Sequence, residues 1–376
     1  MQQISTKEQE HAAIEEATAA APTMVTEEQI EGALESRPRN VLVLLLRWLL
    51  PVALTILLVW YLFSKVDFAS MWEIIREGVD YWWILLAMGI SVLSHVSRAA
   101  RWQLQLRSLG IDAPFMALCC SIFGCYALNL IFPRLGEVWR CTYIAKRQKA
   151  SFSTVLGSMV SDRFTDSLAV LTLLLIALAI ANTAIMAFLE KYPVGKGLLS
   201  LLDNPWIWLA GIFGVGCIVT LFYFGRRTRM VGKLTQWLKE LWSGVATLWR
   251  MRGRGKFLML TVAIWGCYFL QLYVAFFAFG FTRRLCMESS TFFGLIPCLV
   301  AFVFSAIGMA IPSNGGLGPW NIAIMFGLAI YGISDTEGTA FSMVQWSGQT
   351  VMLILLGIFT MIYQIGGRKV LKPTSQ

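Results

Sequence analysis

The sequence predicts an all-α polytopic membrane protein with about six full transmembrane helices, two broken re-entrant hairpins of opposite orientation, and cytoplasmic N- and C-termini. Three observations carry that expectation. Only 14% of the 376 residues are charged and 57% are hydrophobic, whereas a soluble domain usually carries about 25% charge. Several apolar stretches approach the roughly 20 residues that a membrane helix needs. Lys and Arg gather on alternate connections between those stretches, as the positive-inside rule expects of a multi-pass chain.

In chain order, residues 1–40 form an acidic cytoplasmic tail. Its first 36 residues hold eight Glu against one Lys, a composition too polar to bury a core, so disorder or loose helix is expected. The first apolar run begins near residue 41, behind a lead too acidic for a cleavable signal peptide, and is expected to stay as the first membrane helix. Residues 41–367 form the transmembrane domain. Full spans are expected at 44–63, 81–97, 151–181, 205–224, 257–281 and 341–363, the second slightly short. In VDFASMWEIIREGVD, the apolar Phe68, Met71, Trp72 and Ile75 recur at helical spacing. The basic loop 225–256 does the same with Met230, Leu234, Trp237, Leu241, Val245 and Leu248. Both stretches read as interfacial helices or, equally, as elbows between spans. Residues 368–376 are a short basic cytoplasmic tail.

The net charge of +9 does not read as nucleic-acid binding, because the cations sit in short clusters beside apolar spans rather than along one polar domain. Eight Cys occur without a CxxC, most of them inside apolar stretches (Cys119, Cys120, Cys125, Cys217, Cys267, Cys298), and the chain's histidines are His11 and His95. That supports neither a zinc site nor a disulfide framework, and no metal or cofactor is expected. An inside N-terminus gives the cytoplasm Arg37, Arg39, Arg47, Arg98, Arg101, Arg107, Arg134, Arg140, Lys146, Arg147, Lys149, nine cations between Arg226 and Lys256, and Arg368, Lys369 and Lys372. The other side holds Lys65, Arg76, Lys191, Lys196, Arg283 and Arg284. For this asymmetry to hold throughout, 113–147 must enter and leave on the cytoplasmic side and 291–333 on the outer side.

These two interrupted stretches echo each other: NLIFPRLGEVW and GMAIPSNGGLGPW both run from apolar residues through Pro and Leu-Gly to Trp. Broken backbone is too costly against lipid, so it is expected where protein or a polar cavity surrounds it, and half-helix N-termini there suit an anion. In the first hairpin, Pro133 ends one arm, Gly136 turns the chain, and Glu137 falls in the first turn of the returning helix. Arg140 is three residues on, where it is expected to pair with Glu137 until an anion competes; Asn129 and Arg134 flank the break. In the second hairpin, Ser313, Asn314, Gly315, Gly316 and Gly318 form a loop whose N–H groups suit an anion, with Pro319 at the start of the returning helix. A plain helix end for the first break, and an outer turn for the second, are the competing readings.

A third group lies in SFSTVLGSMVSDRFTDSLAVL, where Asp162 and Asp166 share a helix face with Arg163 close by. Ionisable residues inside a membrane are functional candidates. From an outer end near Ala181, Asp162 lies about 28 Å away, near the inner boundary of a core roughly 30 Å thick, so an interfacial place for Asp162 and Arg163 stays open. His95, Gln271, Gln345 and Gln349 read as single polar bridges between helices.

The chain resembles the transmembrane flippase-like region of lysylphosphatidylglycerol synthases and of many stand-alone bacterial and archaeal membrane proteins. The matching residues are Arg98, Arg101 and Trp102 in SRAARWQLQLRSLG, and Asn129, Pro133, Gly136, Glu137 and Arg140 in NLIFPRLGEVWR. Arg163 and Asp166 in SDRFTD, and IPSNGGLG at 311–318, complete the match, which runs from about residue 41 to 366. The family pattern commonly carries a second Pro and a later Glu where this chain has Asn314 and Asn321, so an anion there would rely on N–H groups and amides. Synthases of the family append an aminoacyl transferase domain; this sequence ends at RKVLKPTSQ, and the resemblance implies the translocating half without the synthetic half.

The expectation is therefore a flippase-like transporter of the cytoplasmic membrane that moves an anionic phospholipid or a lipid-linked conjugate between leaflets. Arg140 and Arg163 would meet the phosphate, with Glu137 and Asp166 holding them or meeting a cationic headgroup. The alternatives are a membrane-embedded aminoacyl or glycosyl transferase and a non-transporting partner of a separate synthase. No GxGxxG, P-loop or DxD signature supports the enzyme. Membrane lipids are the expected partners, with a second copy of the chain or a separately encoded synthase as further ones.

Overall fold

A computed structural model of the chain describes residues 67–132, 134–182, 253–311 and 313–370, with isolated positions in 53–60 and 186–209. The acidic tail, the expected spans 44–63 and 205–224, most of the basic loop 225–256, the last residues of the chain and Pro133 lie outside the described residues.

Every regular element described is helical: α1 (Phe68–Glu77), α2 (Tyr81–Ser108), α3 (Phe115–Ile131), α4 (Leu135–Gln148), α5 (Phe152–Ile180), α6 (Arg254–Phe276), α7 (Gly280–Met287), α8 (Leu295–Gly308), α9 (Pro319–Ala329) and α10 (Asp335–Val370). Asp67 starts α1, its Oδ1 accepting from the Ala69 N–H at 3.0 Å, and Asp80 starts α2 by accepting from the Trp82 N–H at 3.2 Å. Such caps occupy N–H groups that a helix start leaves free. On α1, Met71 is buried while Trp72, expected on the same face, is exposed.

Among the described residues, four helices are long and apolar enough to cross a membrane: α2, α5, α6 and α10 up to Ile365. Their burial pattern is inverted relative to a soluble fold. On α2, Trp82, Leu86 and Leu93 face outward while Ser91, Ser94 and His95 are enclosed, and on α10 Leu355, Met361 and Ile362 are exposed while Ser342 and Gln345 are buried. An apolar exterior of this extent suits lipid rather than water. The second span runs to Ser108 rather than residue 97, because Arg98 and Arg101 are neutralised inside the protein and do not end the helix.

Two packing clusters hold the bundle. One joins Ile84 and Met88 of α2, Phe276 of α6, Phe302 of α8, Ile324 of α9 and Phe341 of α10. The other joins Trp102 and Leu106 of α2 with Ile122 of α3, Ile144 of α4 and Val155 of α5.

Both interrupted stretches fold as helix hairpins, α3 with α4 and α8 with α9. The first runs against α10: a Cβ on Gly357 would approach Ala127, and one on Gly124 would approach Thr360, so α3 steps back as α10 advances. The base of this hairpin therefore lies toward the C-terminal end of α10. In the second, Asn321 bonds Ser342 and Gly338 packs on Met325, so α9 leads back to the start of α10. The tips meet between these ends. A Cβ on Gly315 would fall 2.7 Å from Leu130 Cδ2, and Trp346 Nε1 donates to the Gly315 carbonyl at 2.9 Å. Trp346 sits roughly 17 Å along α10 at 1.5 Å per residue, so the two tips touch beside the middle of that helix.

The first tip depends on a close approach. A Cβ on Gly136 would collide with the Cys125 carbonyl, and the Gly136 N–H is fixed by Asn129 Oδ1 at 2.9 Å. Gly136→Ala is expected to lower stability by roughly 1–3 kcal/mol through overpacking, read as thermal unfolding in detergent. Gly89→Ala, inside α2 and with nothing within 4 Å of its added Cβ, is the matched control and is expected to leave stability unchanged or raise it by about 0.5–1 kcal/mol.

Candidate functional site

The site is built from one face of α2 and one of α5. Arg98 and Arg101 lie three apart on α2 and are 2% and 0% exposed; Asp162 and Asp166 lie four apart on α5. Arg98 Nη1 is 2.7 Å from Asp166 Oδ2 and 3.3 Å from Asp162 Oδ2. Arg101 Nη2 is 2.7 Å from both Asp166 Oδ1 and Asp162 Oδ1, and of these two contacts the one to Asp166 is aligned as a hydrogen bond. The other terminal nitrogens reach α6, where Arg98 Nη2 donates to the Tyr268 hydroxyl at 3.1 Å and Arg101 Nη1 to Thr261 Oγ1 at 3.2 Å, while the Nε of each is buried without a partner among the described residues. Charges persist in a protein interior when paired in this way, and guanidinium forks match carboxylate geometry.

Arg140, on α4, is fully buried, yet Nε, Nη1 and Nη2 have no hydrogen-bond partner among the described residues. Asp162 Oδ2 is 3.8 Å from Nη2. The guanidinium instead lies over the Trp102 ring, 4.6 Å from its centroid, and Trp102 Nε1 donates to Ser158 Oγ at 2.9 Å. A cation over an indole face is attracted by about 1–2 kcal/mol, but that contact leaves the N–H donors in the guanidinium plane unused.

At the edge of this layer, Arg163 Nη2 meets Glu137 Oε1 at 2.5 Å, with side-chain exposures of 35% and 23%, and Arg163 Nη1 is 3.9 Å from Asp166 Oδ2. The expected Glu137–Arg140 pair does not form. Because α4 packs on α5, Glu137 meets Arg163 across the interface, and Arg140 turns inward toward Trp102. The assembly holds four arginines (Arg98, Arg101, Arg140, Arg163) against three carboxylates (Glu137, Asp162, Asp166), a formal excess of one positive charge.

Several expectations change here. Arg98, Arg101 and Arg140, counted among cytoplasmic connection charges, are enclosed by protein, while Arg107 and Arg134 are exposed. Asp162 is 0% exposed and lies within 3.3 Å of two arginines, so protein rather than solvent surrounds it. Arg134 sits at the first tip with φ 64° and outside the cluster, and Asn129 ties that tip together through Gly136.

The second tip is a separate place. Its Gly315, Gly316 and Gly318 take φ of 59°, 82° and 90°, conformations that favour glycine. Ser313 Oγ and Asn314 Oδ1 are buried without partners among the described residues. The Gly318 N–H is already taken by Asn321 Oδ1 at 3.1 Å, and Asn321 Nδ2 donates to Ser342 Oγ at 3.3 Å. Asn321 thus fixes the start of α9, beside Pro319 in its first turn, and its amide is occupied. The contacts described for this tip are with Leu130 and Trp346 rather than with the arginines. Tyr268, Thr261 and Ser158 entered the site from the structure alone; in the sequence they are isolated residues of apolar runs with no distinguishing pattern.

The fold and the site together define a multi-pass helical membrane protein that encloses an arginine-rich ion cluster beside a pair of opposed helix hairpins. The chain belongs to the family described as the lysylphosphatidylglycerol synthase TM region, whose family model matches residues 48–357, and this relates it to lipid handling. Neither the curated proteins nor the solved structures provide a match.

Proposed function

We propose that this protein carries an anionic phospholipid, or the anionic group of a lipid-linked conjugate, between the leaflets of the cytoplasmic membrane. The observation behind this reading is Arg140, a fully buried guanidinium with unbonded N–H donors in a cluster with one formal positive charge in excess. A buried guanidinium whose N–H groups make no hydrogen bond is expensive, and a phosphate oxygen pair is the ligand its planar fork fits. The partly exposed Glu137–Arg163 pair forms the edge by which a headgroup enters: phosphate displaces Glu137 from Arg163 and then reaches Arg140. The Arg98, Arg101, Asp162 and Asp166 layer holds the floor of the site, and the acyl chains stay along the apolar exteriors of the bundle. In this reading the opposed hairpins are re-entrant from the two membrane faces, and rocking about their touching tips exposes the site alternately.

The test is a leaflet-resolved assay in proteoliposomes with labelled phosphatidylglycerol and, as the comparison, labelled phosphatidylcholine. The expected result is accelerated exchange of the anionic lipid over the zwitterionic one. Unchanged lipid distribution for every anionic headgroup, with product released from a lipid-linked donor, would replace transport by transfer chemistry.

A further inference from the structure

The buried face of α2 does not end at its arginines. Ser91, His95, Arg98, Arg101 and Gln105 recur at steps of three and four residues, and each is 3% exposed or less. They form one polar row roughly 21 Å long at 1.5 Å per residue, a distance comparable to most of a bilayer core. Beyond Ser91 the row passes to α10, where Gln349 Nε2 donates to Ser91 Oγ at 3.1 Å, while the Gln349 and Gln345 side-chain oxygens have no partner among the described residues.

His95 is the titratable group of this row that the proposed carriage does not use. Its exposure is 3%, neither ring nitrogen has a hydrogen-bond partner among the described residues, and its ring lies against Tyr126 with centroids 4.7 Å apart. An imidazole enclosed with both nitrogens unbonded is unfavourable unless those nitrogens serve some state of the protein, and histidine is the side chain that changes charge near neutral pH. Tyr126 of α3 lies against the ring and Arg98 follows three residues on along its own helix; through Arg98 it adjoins Asp162 and Asp166 of α5 and Tyr268 of α6, carboxylates that Arg101 and Arg163 also approach. Gln345 and Gln349 of α10 are neutral.

Resting on the anion reading above, we propose that His95 is a proton site linked to the headgroup site, so that a proton travels with the anionic headgroup. The cluster next to His95 already has one formal positive charge in excess, so a second cation beside it is disfavoured while the site is empty. Entry of a singly charged phosphodiester cancels that excess. The imidazole then takes one proton from the aqueous side, becoming imidazolium with no other bond made or broken, and returns it when the headgroup leaves. By linkage the effect is reciprocal: headgroup affinity weakens as pH rises, by at most about tenfold per pH unit for one coupled proton.

The measurement is calorimetric titration of the full chain in detergent with dihexanoyl phosphatidylglycerol, in buffers of differing ionisation enthalpy across about pH 5 to 8. The expected result is net uptake of up to one proton per headgroup by the wild type. His95→Gln is expected to bind the lipid with no uptake and with an affinity that no longer follows pH. Binding without uptake in the wild type at every pH, or uptake that persists in His95→Gln, overturns the proton site and leaves the anion reading standing. Absence of binding by the wild type overturns the anion reading, and the linkage with it.

Discussion

Asp166→Asn is expected to lower stability by about 3–5 kcal/mol, the usual consequence of removing one partner from a buried ion pair. Asp166 is bound to Arg98 and Arg101 at 2.7 Å each, and neutralising it raises the formal excess in the cluster from one positive charge to two. The loss should be visible as a lower unfolding midpoint in detergent. A double variant decides whether charge balance is the cause: Arg98→Gln placed on Asp166→Asn restores the original excess and is expected to lose less than the sum of the two single changes, with a coupling of roughly 1–3 kcal/mol. Strict additivity would mean that the layer is held by packing against α6 rather than by its ions.

Arg140→Gln is expected to do the reverse, leaving the fold intact and removing the activity. The side chain makes no hydrogen bond among the described residues and its nearest carboxylate oxygen is 3.8 Å away, so replacing it mainly forfeits the contact with Trp102, about 1–2 kcal/mol. Removing the cation also lowers the charge excess, which offsets part of that. Exchange of labelled phosphatidylglycerol in proteoliposomes should nevertheless fall roughly ten- to hundredfold, the range corresponding to one lost hydrogen-bonding contact to a charged group. Arg140→Lys keeps the charge without the planar fork and should fall between. Normal exchange by Arg140→Gln would remove this residue from headgroup recognition. The contrast with Asp166→Asn separates what holds the cluster together from what the cluster acts on.

Much of the architecture was legible in the sequence because membrane helices are set by length and composition. The span expected at 151–181 coincides with α5 to within one residue at each end, the one expected at 341–363 lies within α10, and the breaks in 113–147 and 291–333 become the two hairpin tips. The family resemblance carried by Arg98, Arg101, Arg163, Asp166 and the two Gly-containing motifs agrees with the family match over residues 48–357. The C-terminal limit of α2 was not legible. Arg98 and Arg101 look like the start of a polar connection until their carboxylate partners, more than sixty residues further on, are in place. Arg140 was drawn toward the wrong neighbour for a related reason: spacing along one helix suggests Glu137, whereas packing of α4 on α5 brings Arg163 to Glu137 and leaves Arg140 over Trp102.

By itself the sequence determined that the chain crosses a membrane several times, where its apolar helices lie, where its backbone breaks, and which ionisable residues fall inside or beside apolar runs. These follow from local composition, since the transfer of each segment into lipid depends on that segment alone. Only the tertiary structure decided which charges neutralise each other, that one guanidinium is left without a hydrogen bond among the described residues, that His95 joins the same polar row, and that the two hairpin tips touch. Each of these depends on residues brought together from distant helices, and in a low-dielectric interior a few ångströms decide whether a charge is paired or free.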